Sequence, residues 1–228
     1  MIGEPHERGG EAGEGTMTDS VVGVRKQRED GVRTRKAILL EAVSLSTVEG
    51  LEGLSIGGLA KSLGISKSGL YAHFGSKQEL QLATIDEAER IFDLEVIDPS
   101  ERASEGLGQL VAVCDLFFDH LQRHTFPGGC FFASAVLEMG TRPGPVKERV
   151  GAFQQRFIGL VFGYAAKAKE LGQLAEDEDL MILVFDINGI ILAANTSFVM
   201  SDDPAMLDVA RRAVRRRLGV HATDSTSR

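Results

Sequence analysis

Tryptophan is absent from the chain, cysteine occurs twice, proline six times among 228 residues, and no apolar stretch opens the sequence. Each absence removes a class. Cys114 and Cys130 form no CxxC pair and no spaced framework, which argues against a disulfide scaffold and fits a reducing compartment. Their plain reading is as small buried hydrophobes. Residues 1–20 (MIGEPHERGGEAGEGTMTDS) are rich in Gly and Glu, so no signal peptide is expected and a cytoplasmic location is. Alternating β-type hydrophobicity and internal repeats are missing. So are a phosphate-binding glycine loop, a nucleophile elbow and an HExxH pair; the glycines at 9–15 and 128–129 match no phosphate-loop spacing. An excess of basic charge is also absent: acids outnumber Lys and Arg by 33 to 25, and a net charge of −8 opposes a protein that coats polyanions over its whole surface.

The balance nevertheless differs along the chain. Val21 to Lys77 carries nine Lys/Arg against five acids, which leaves the rest of the chain strongly acidic. The greasiest segment, LMILVFDINGIILAANTSFVM (180–200), holds Asp186, Asn188 and Asn195, which make membrane insertion costly. It reads as a soluble helix buried on most sides, and no membrane partner is expected.

The pattern elsewhere is helical. Residues 1–20 bury too little to order, and Met17 offers an alternative start. From Arg33 the spacing of Ile38, Leu39, Ala42, Val43, Leu45 and Val48 predicts a helix stopped at Gly50. Ser55 reads as the N-cap of a short helix through Leu63, and Ser66 as the cap of a second to about His73. Ser76 caps a third, with Glu79 completing a capping box, running toward Asp98-Pro99. Helices follow over about 100–124, 130–139, to about Leu171, 177–200 and after Pro204. The fold class is all-α: a small N-terminal helix-turn-helix domain and a larger helical C-terminal one.

GISKSGLYAHFGSKQEL (64–80) is too polar for a core helix, and its residues obey a packing template. Ala60 is small enough for two short helices to cross. Gly64 can take the positive φ of a sharp turn, and Leu70 packs the second helix onto the first, with Leu59, Leu63 and Ile65 completing a small core. Ser66, Lys67, Ser68, Gly69, Tyr71 and His73 are left on the outer side, suited to phosphates and base edges in a major groove. Ser76 and Lys77 open the next helix, whose N-terminus attracts a phosphate. Arg33 and Lys36 begin a packed helix and are suited to phosphate. For Arg25 to Arg28 two readings stand, a minor-groove arm and a solvated leader.

The run SIGGLAKSLGISKSGLYAHFGSKQEL, preceded by TRKAILLEAVSLSTVEGLEGL, closely resembles the N-terminal domain of the tetracycline-repressor (TetR) family of bacterial transcriptional regulators. Composition predicts a disordered, partly basic tail at 1–30; the resemblance implies a DNA-binding domain at 31–92 with its motif at 55–74, and an effector-binding and dimerisation domain at 93–228. It implies a homodimer that binds operator DNA, answers to a small-molecule effector, and has no enzymatic activity. Phosphate contacts carry over to Ser55, Tyr71, His73 and Lys77, and the base-reading helix to Ser66–Tyr71. Gly57-Gly58 departs from the family, which often has charged residues there. RHTFPGGCFFASAVLEMGTRPGPVKERV (123–150) resembles one C-terminal subtype.

Eleven of the twelve phenylalanines lie beyond residue 90. Most must be core; Phe92, Phe117, Phe118, Phe131, Phe132 and Phe157, with His120, are the candidate lining of an apolar effector pocket. For the dimer interface the candidates are Phe162, Phe185, Asn188, Ile191, Leu192, Asn195 and Val199. Asn188 and Asn195 either set register across a two-fold axis or are satisfied amides inside one chain. His120 and His124, four apart on a predicted helix, have the spacing of a metal-binding pair but lack a third ligand of diagnostic spacing, so no metal or cofactor is expected. An enzyme or carrier using Asp115, His120 and His124 is the alternative function, and a helical adaptor binding a partner through 180–200 a third.

Overall fold

In the computed structural model, backbone is described for residues 17–220 and side chains for residues 30–220. Residues 1–16 of the expected tail, and the side chains of Arg25, Lys26 and Arg28, lie outside those described. Among the described residues the regular structure is entirely helical. The chain divides into two compact units, Met1–Ala37 and Ile38–Arg228.

In the first unit the backbone is helical from Met17, part of α1 (Met17–Glu49). The stretch 17–30 of the expected tail has a helical backbone. The run Arg25–Glu29 consists of good helix formers with no proline, which sustains the helix without an apolar stripe. Arg33 pairs with Asp30, and the Thr34 hydroxyl donates to the Asp30 carbonyl at 2.8 Å.

In the second unit α1 buries Ile38, Ala42 and Val43. Three short helices follow, α2 (Ile56–Leu63), α3 (Lys67–Phe74) and α4 (Lys77–Phe92), each opened by a serine. Ser55 Oγ accepts the Gly58 N–H at 3.0 Å, Ser66 Oγ that of Gly69 at 3.0 Å, and Ser76 Oγ that of Glu79 at 3.1 Å. Each satisfies an N–H that the first helical turn cannot pair internally. Gly64 closes α2 at φ +66°, so that the Ile65 N–H reaches the Ala60 carbonyl at 3.0 Å. Leu59, Ala60 and Leu70 are completely or almost completely buried, as the packing template requires.

After α4 the chain does not stop at Pro99. A prolyl ring would strike the carbonyl four residues back and offers no N–H. The backbone instead widens into a π-helical turn over Asp93–Ile97, closed by the Asp98 N–H on the Asp93 carbonyl, and continues as α5 (Asp98–Glu101). Next come α6 (Leu107–Gln122), α7 (Phe131–Met139), α8 (Pro145–Glu170), α9 (Leu180–Ser201) and α10 (Pro204–Arg217). α6 packs against α8, α9 and α10, and α4 lies along α8. The helix expected through residue 124 ends at Gln122, and His124 takes a left-handed backbone (φ +49°).

At Gly64 an added Cβ would meet nothing within 4 Å, whereas its φ is left-handed. Gly64→Ala is expected to destabilise the protein by about 1 kcal/mol through backbone strain alone. Gly151→Ala, in open space within α8, should stabilise it by about 0.5–1 kcal/mol. Denaturation of the two variants, shifting in opposite directions, checks both.

Candidate nucleic-acid interface

The outer side of α3 is built by what its inner side buries. With Leu70 and Phe74 turned inward, Lys67, Ser68 and Tyr71 project outward, all exposed. Ser66 is fixed by its cap and sits 3.2 Å from the Ser68 hydroxyl, so two hydroxyls lie side by side at the start of the helix. Gly69 and His73 are half-buried beside them. Gly57 has a local use: a Cβ there would lie 3.3 Å from Lys67 Cε, so the missing side chain leaves room for the lysine tip across α2.

Two expected phosphate contacts already have internal partners. Ser55 Oγ caps α2. Lys77 Nζ donates to the Glu52 carbonyl at 2.6 Å and to its carboxylate at 2.9 Å. The hydrogen bond from Lys77, then that from Gln81, holds the Glu52 carboxyl below its ordinary range. Lys77 is thus first a strut between the α1–α2 loop and α4. Arg33 belongs to the first unit and is exposed there.

The helix pair is gripped from the body by a residue that sequence reasoning passed over. Glu138, in α7, accepts the Leu51 N–H at 2.7 Å and the Glu52 N–H at 2.8 Å. Arg142 lies 3.7 Å from the Glu52 carboxylate. Arg149 and Arg156 of α8 pair with Asp86 and Glu89 of α4 and with Asp93 at the start of the π turn. No sequence motif marks Glu138, because its partners are backbone groups 86 and 87 positions away.

All seven expected effector residues are buried. Phe92, the last residue of α4, sits edge-on to Phe117 (6.3 Å), His120 (5.8 Å), Phe132 (6.3 Å), Phe153 (5.4 Å) and Phe157 (5.6 Å). Phe153 completes a cluster in which sequence reasoning counted it only as core. Phe118 faces α10, under the Arg211 guanidinium, and Phe131 touches only Phe132 of the cluster rings. A cavity of about 190 Å³ lies elsewhere, at the ends of α6 and α9, and none of the seven lines it.

The Asp115, His120, His124 set is not brought together. Asp115 is held by Arg211 and Arg215, His120 Nδ1 by Glu95 at 2.7 Å, and His124 lies off the helix, 3.3 Å from Asp202. Among the described residues no group of three His, Cys, Asp or Glu is placed to hold a metal. Burial pushes Cys114 up to about 12 and Cys130 to about 11.

Of the expected dimer residues, Ile191 and Asn195 are corrected: both are buried within the chain, and Asn195 Oδ1 accepts the Cys130 N–H at 2.8 Å, opening α7. Phe185 is 77% exposed, and Phe162 and Val199 are also exposed; Asn188 and Leu192 are half-buried. α9 is therefore bare on one side, contrary to the expectation of burial on most sides. It is long and apolar enough to cross a membrane by composition, yet it packs on α6, α8 and α10, and its Asp186 pairs with Arg217 at 2.6 Å.

The model of the family "Bacterial regulatory proteins, tetR family" matches residues 38–84, and that of "Tetracyclin repressor-like, C-terminal domain" matches residues 106–214. The chain belongs to the TetR family of transcriptional regulators. A TetR regulator from Chloroflexus aurantiacus superposes with a TM-score of 0.74 at 22% identity, over 84% of this chain and 96% of that one. AibR, solved with isovaleryl coenzyme A and operator DNA, gives 0.66 at 21% identity, over 80% and 96%. A cysteine mutant of CifR, solved with 26-bp operator DNA, gives 0.64 at 23% identity, over 78% and 93%. No curated protein sequence matches this TetR member.

The His120–Glu95 pair makes stability pH-dependent. Burial lowers the His120 imidazole despite the pull of Glu95. Partial burial alone would raise the Glu95 carboxyl, but bonds from His120, Arg123 and Thr125 outweigh it and hold the group low. A neutral imidazole donating to a carboxylate satisfies both directions. Both groups gain protons more readily in the unfolded chain, so their contribution is present at neutral pH and is lost on acidification. Stability is expected to fall from about pH 7 to pH 5, starting near the ordinary histidine value of about 6.5. In His120→Gln the upper part of that slope should vanish; urea unfolding across the range reads it.

Proposed function

We propose that this TetR regulator acts in the cytoplasm as a homodimeric repressor, released from a two-fold symmetric operator by a small-molecule effector. Residues 31–92 form the DNA-binding domain and 93–228 the effector-binding and dimerisation domain. The observation that carries the reading is α3: serine-capped, braced by Leu70 and Phe74, and outwardly polar through Lys67, Ser68 and Tyr71. Its lysine and hydroxyls read base edges, with Tyr71 and His73 on flanking phosphates. Arg33 adds a phosphate contact, and Ser55 and Lys77 contribute to the extent that DNA competes with their internal partners. The operator complexes of AibR and CifR support the same use of the fold.

Dimerisation answers the bare side of α9. Phe185, Val199 and Phe162 on neighbouring α8 are exposed together with Met181, Ile182 and Met200. Leaving such a stripe in water is unfavourable by about 25 cal/mol per Å². Pairing α8 and α9 with their copies covers it and sets two α3 helices about 34 Å apart, one DNA turn. The effector acts through the Phe92 cluster: whatever parts those rings moves the end of α4, and it shifts the equilibrium only by binding one state more tightly.

Selection of bound duplexes from a random pool by the purified chain is expected to return a two-fold consensus; a failure to enrich any sequence at low salt refutes the proposal. Lys67→Ala and Ser68→Ala should change the selected bases. Phe185→Glu should yield monomers by sedimentation and lose two-fold binding, with helicity unchanged.

A further inference from the structure

The cavity of about 190 Å³ has a composition of its own. Leu121, Phe126, Pro127, Phe198 and Val199 wall it, and His124 and Asp202 stand at its rim with more than half of each side chain exposed. Among the described residues these two are the non-glycine residues with left-handed backbones, φ +49° and +53°. Held so, they face each other at 3.3 Å, and the His124 ring lies 5.3 Å from that of Phe198. The space is large enough for a single ring and opens to solvent past the Asp202 carboxylate, which an incoming cation would share with or take from His124, beside a phenylalanine ring that attracts a cation.

The loop that closes the cavity is wedged between two parts of the fold. The Gly128 N–H donates to Thr47 Oγ1, at the end of α1, at 3.1 Å, and a Cβ at Gly128 would fall 1.9 Å from the Thr47 carbonyl oxygen. On the other side, a Cβ at Gly129 would fall 2.5 Å from Val199 and 2.6 Å from Asn195 on α9. Phe126 also lies 5.4 Å from the His120 ring, whose Glu95 partner belongs to the π turn beyond α4. Neither contact leaves slack for the loop to move alone.

We propose that this cavity is a second small-molecule site, apart from the Phe92 cluster, for monocyclic aromatic cations of the benzylamine type. The ring enters between Phe126 and Phe198, and the ammonium pairs with Asp202. Occupancy displaces the Phe126–Gly129 loop and, through Thr47, the end of α1 that carries the DNA-binding helices. This last step rests on the DNA-binding role proposed above; the binding itself does not.

The full-length chain is titrated by calorimetry with benzylamine, benzyl alcohol and benzoate. Saturable binding of one benzylamine per chain is expected, with the neutral and anionic analogues about tenfold or more weaker, and with methyl NMR shifts at Leu121 and Val199. Asp202→Asn, which keeps a residue tolerant of the left-handed backbone, should remove the preference for the cation while leaving benzyl alcohol unchanged. Absence of saturable benzylamine binding, equal binding of benzoate, a preference that survives Asp202→Asn, or shifts confined to Val96 and Val161 would overturn the site. Benzylamine should then weaken binding to the selected operator about threefold in the wild type and not in Asp202→Asn. Benzylamine binding with unchanged operator affinity overturns the transmission and leaves the site standing. Benzylamine binding by a chain that recognises no duplex leaves the site standing and refutes the DNA-binding role instead.

Discussion

Phe92 is the contact on which the rest of the arrangement depends. It ends α4, whose other end carries the serine cap that follows α3, and its ring is shared among α6, α7 and α8. One helix is thereby fixed at both ends, by Leu80 near its start and by Phe92 at its close, both within one buried core. Deleting such a ring typically costs about 3–5 kcal/mol. The π turn immediately after it is the place where the helix loses regular pairing. π turns of this kind often mark functional positions.

Much of the DNA-binding head was legible because its signals are local. Serine caps at 55, 66 and 76, a glycine stop at 64 and the Ala60–Leu70 packing all act within a few residues, and each appears where the spacing placed it. The resemblance to the TetR family rested on the same residues. The all-helical body was legible from periodicity, although α1 begins earlier and Pro99 is absorbed by a widened turn rather than ending the helix.

What stayed hidden is long-range. Glu138 reaches backbone groups nearly ninety positions away, and nothing in its neighbours announces it. Asn195 could serve a two-fold axis or its own chain, and only the Cys130 N–H at 2.8 Å decides. Lys77 has the charge for a phosphate but also Glu52 within reach, which no motif weighs. The phenylalanines did converge, around Phe92, but sequence counts rings and cannot count the space between them.

The two thiols carry a consequence for the signals such a protein can hear. Both are wholly enclosed, and at neutral pH essentially all of each is protonated. Peroxide, electrophiles and soft metal ions attack the anionic sulfur, and only when they can reach it. Neither thiol is therefore placed for reagents that attack anionic sulfur, and what both supply is apolar volume in the core.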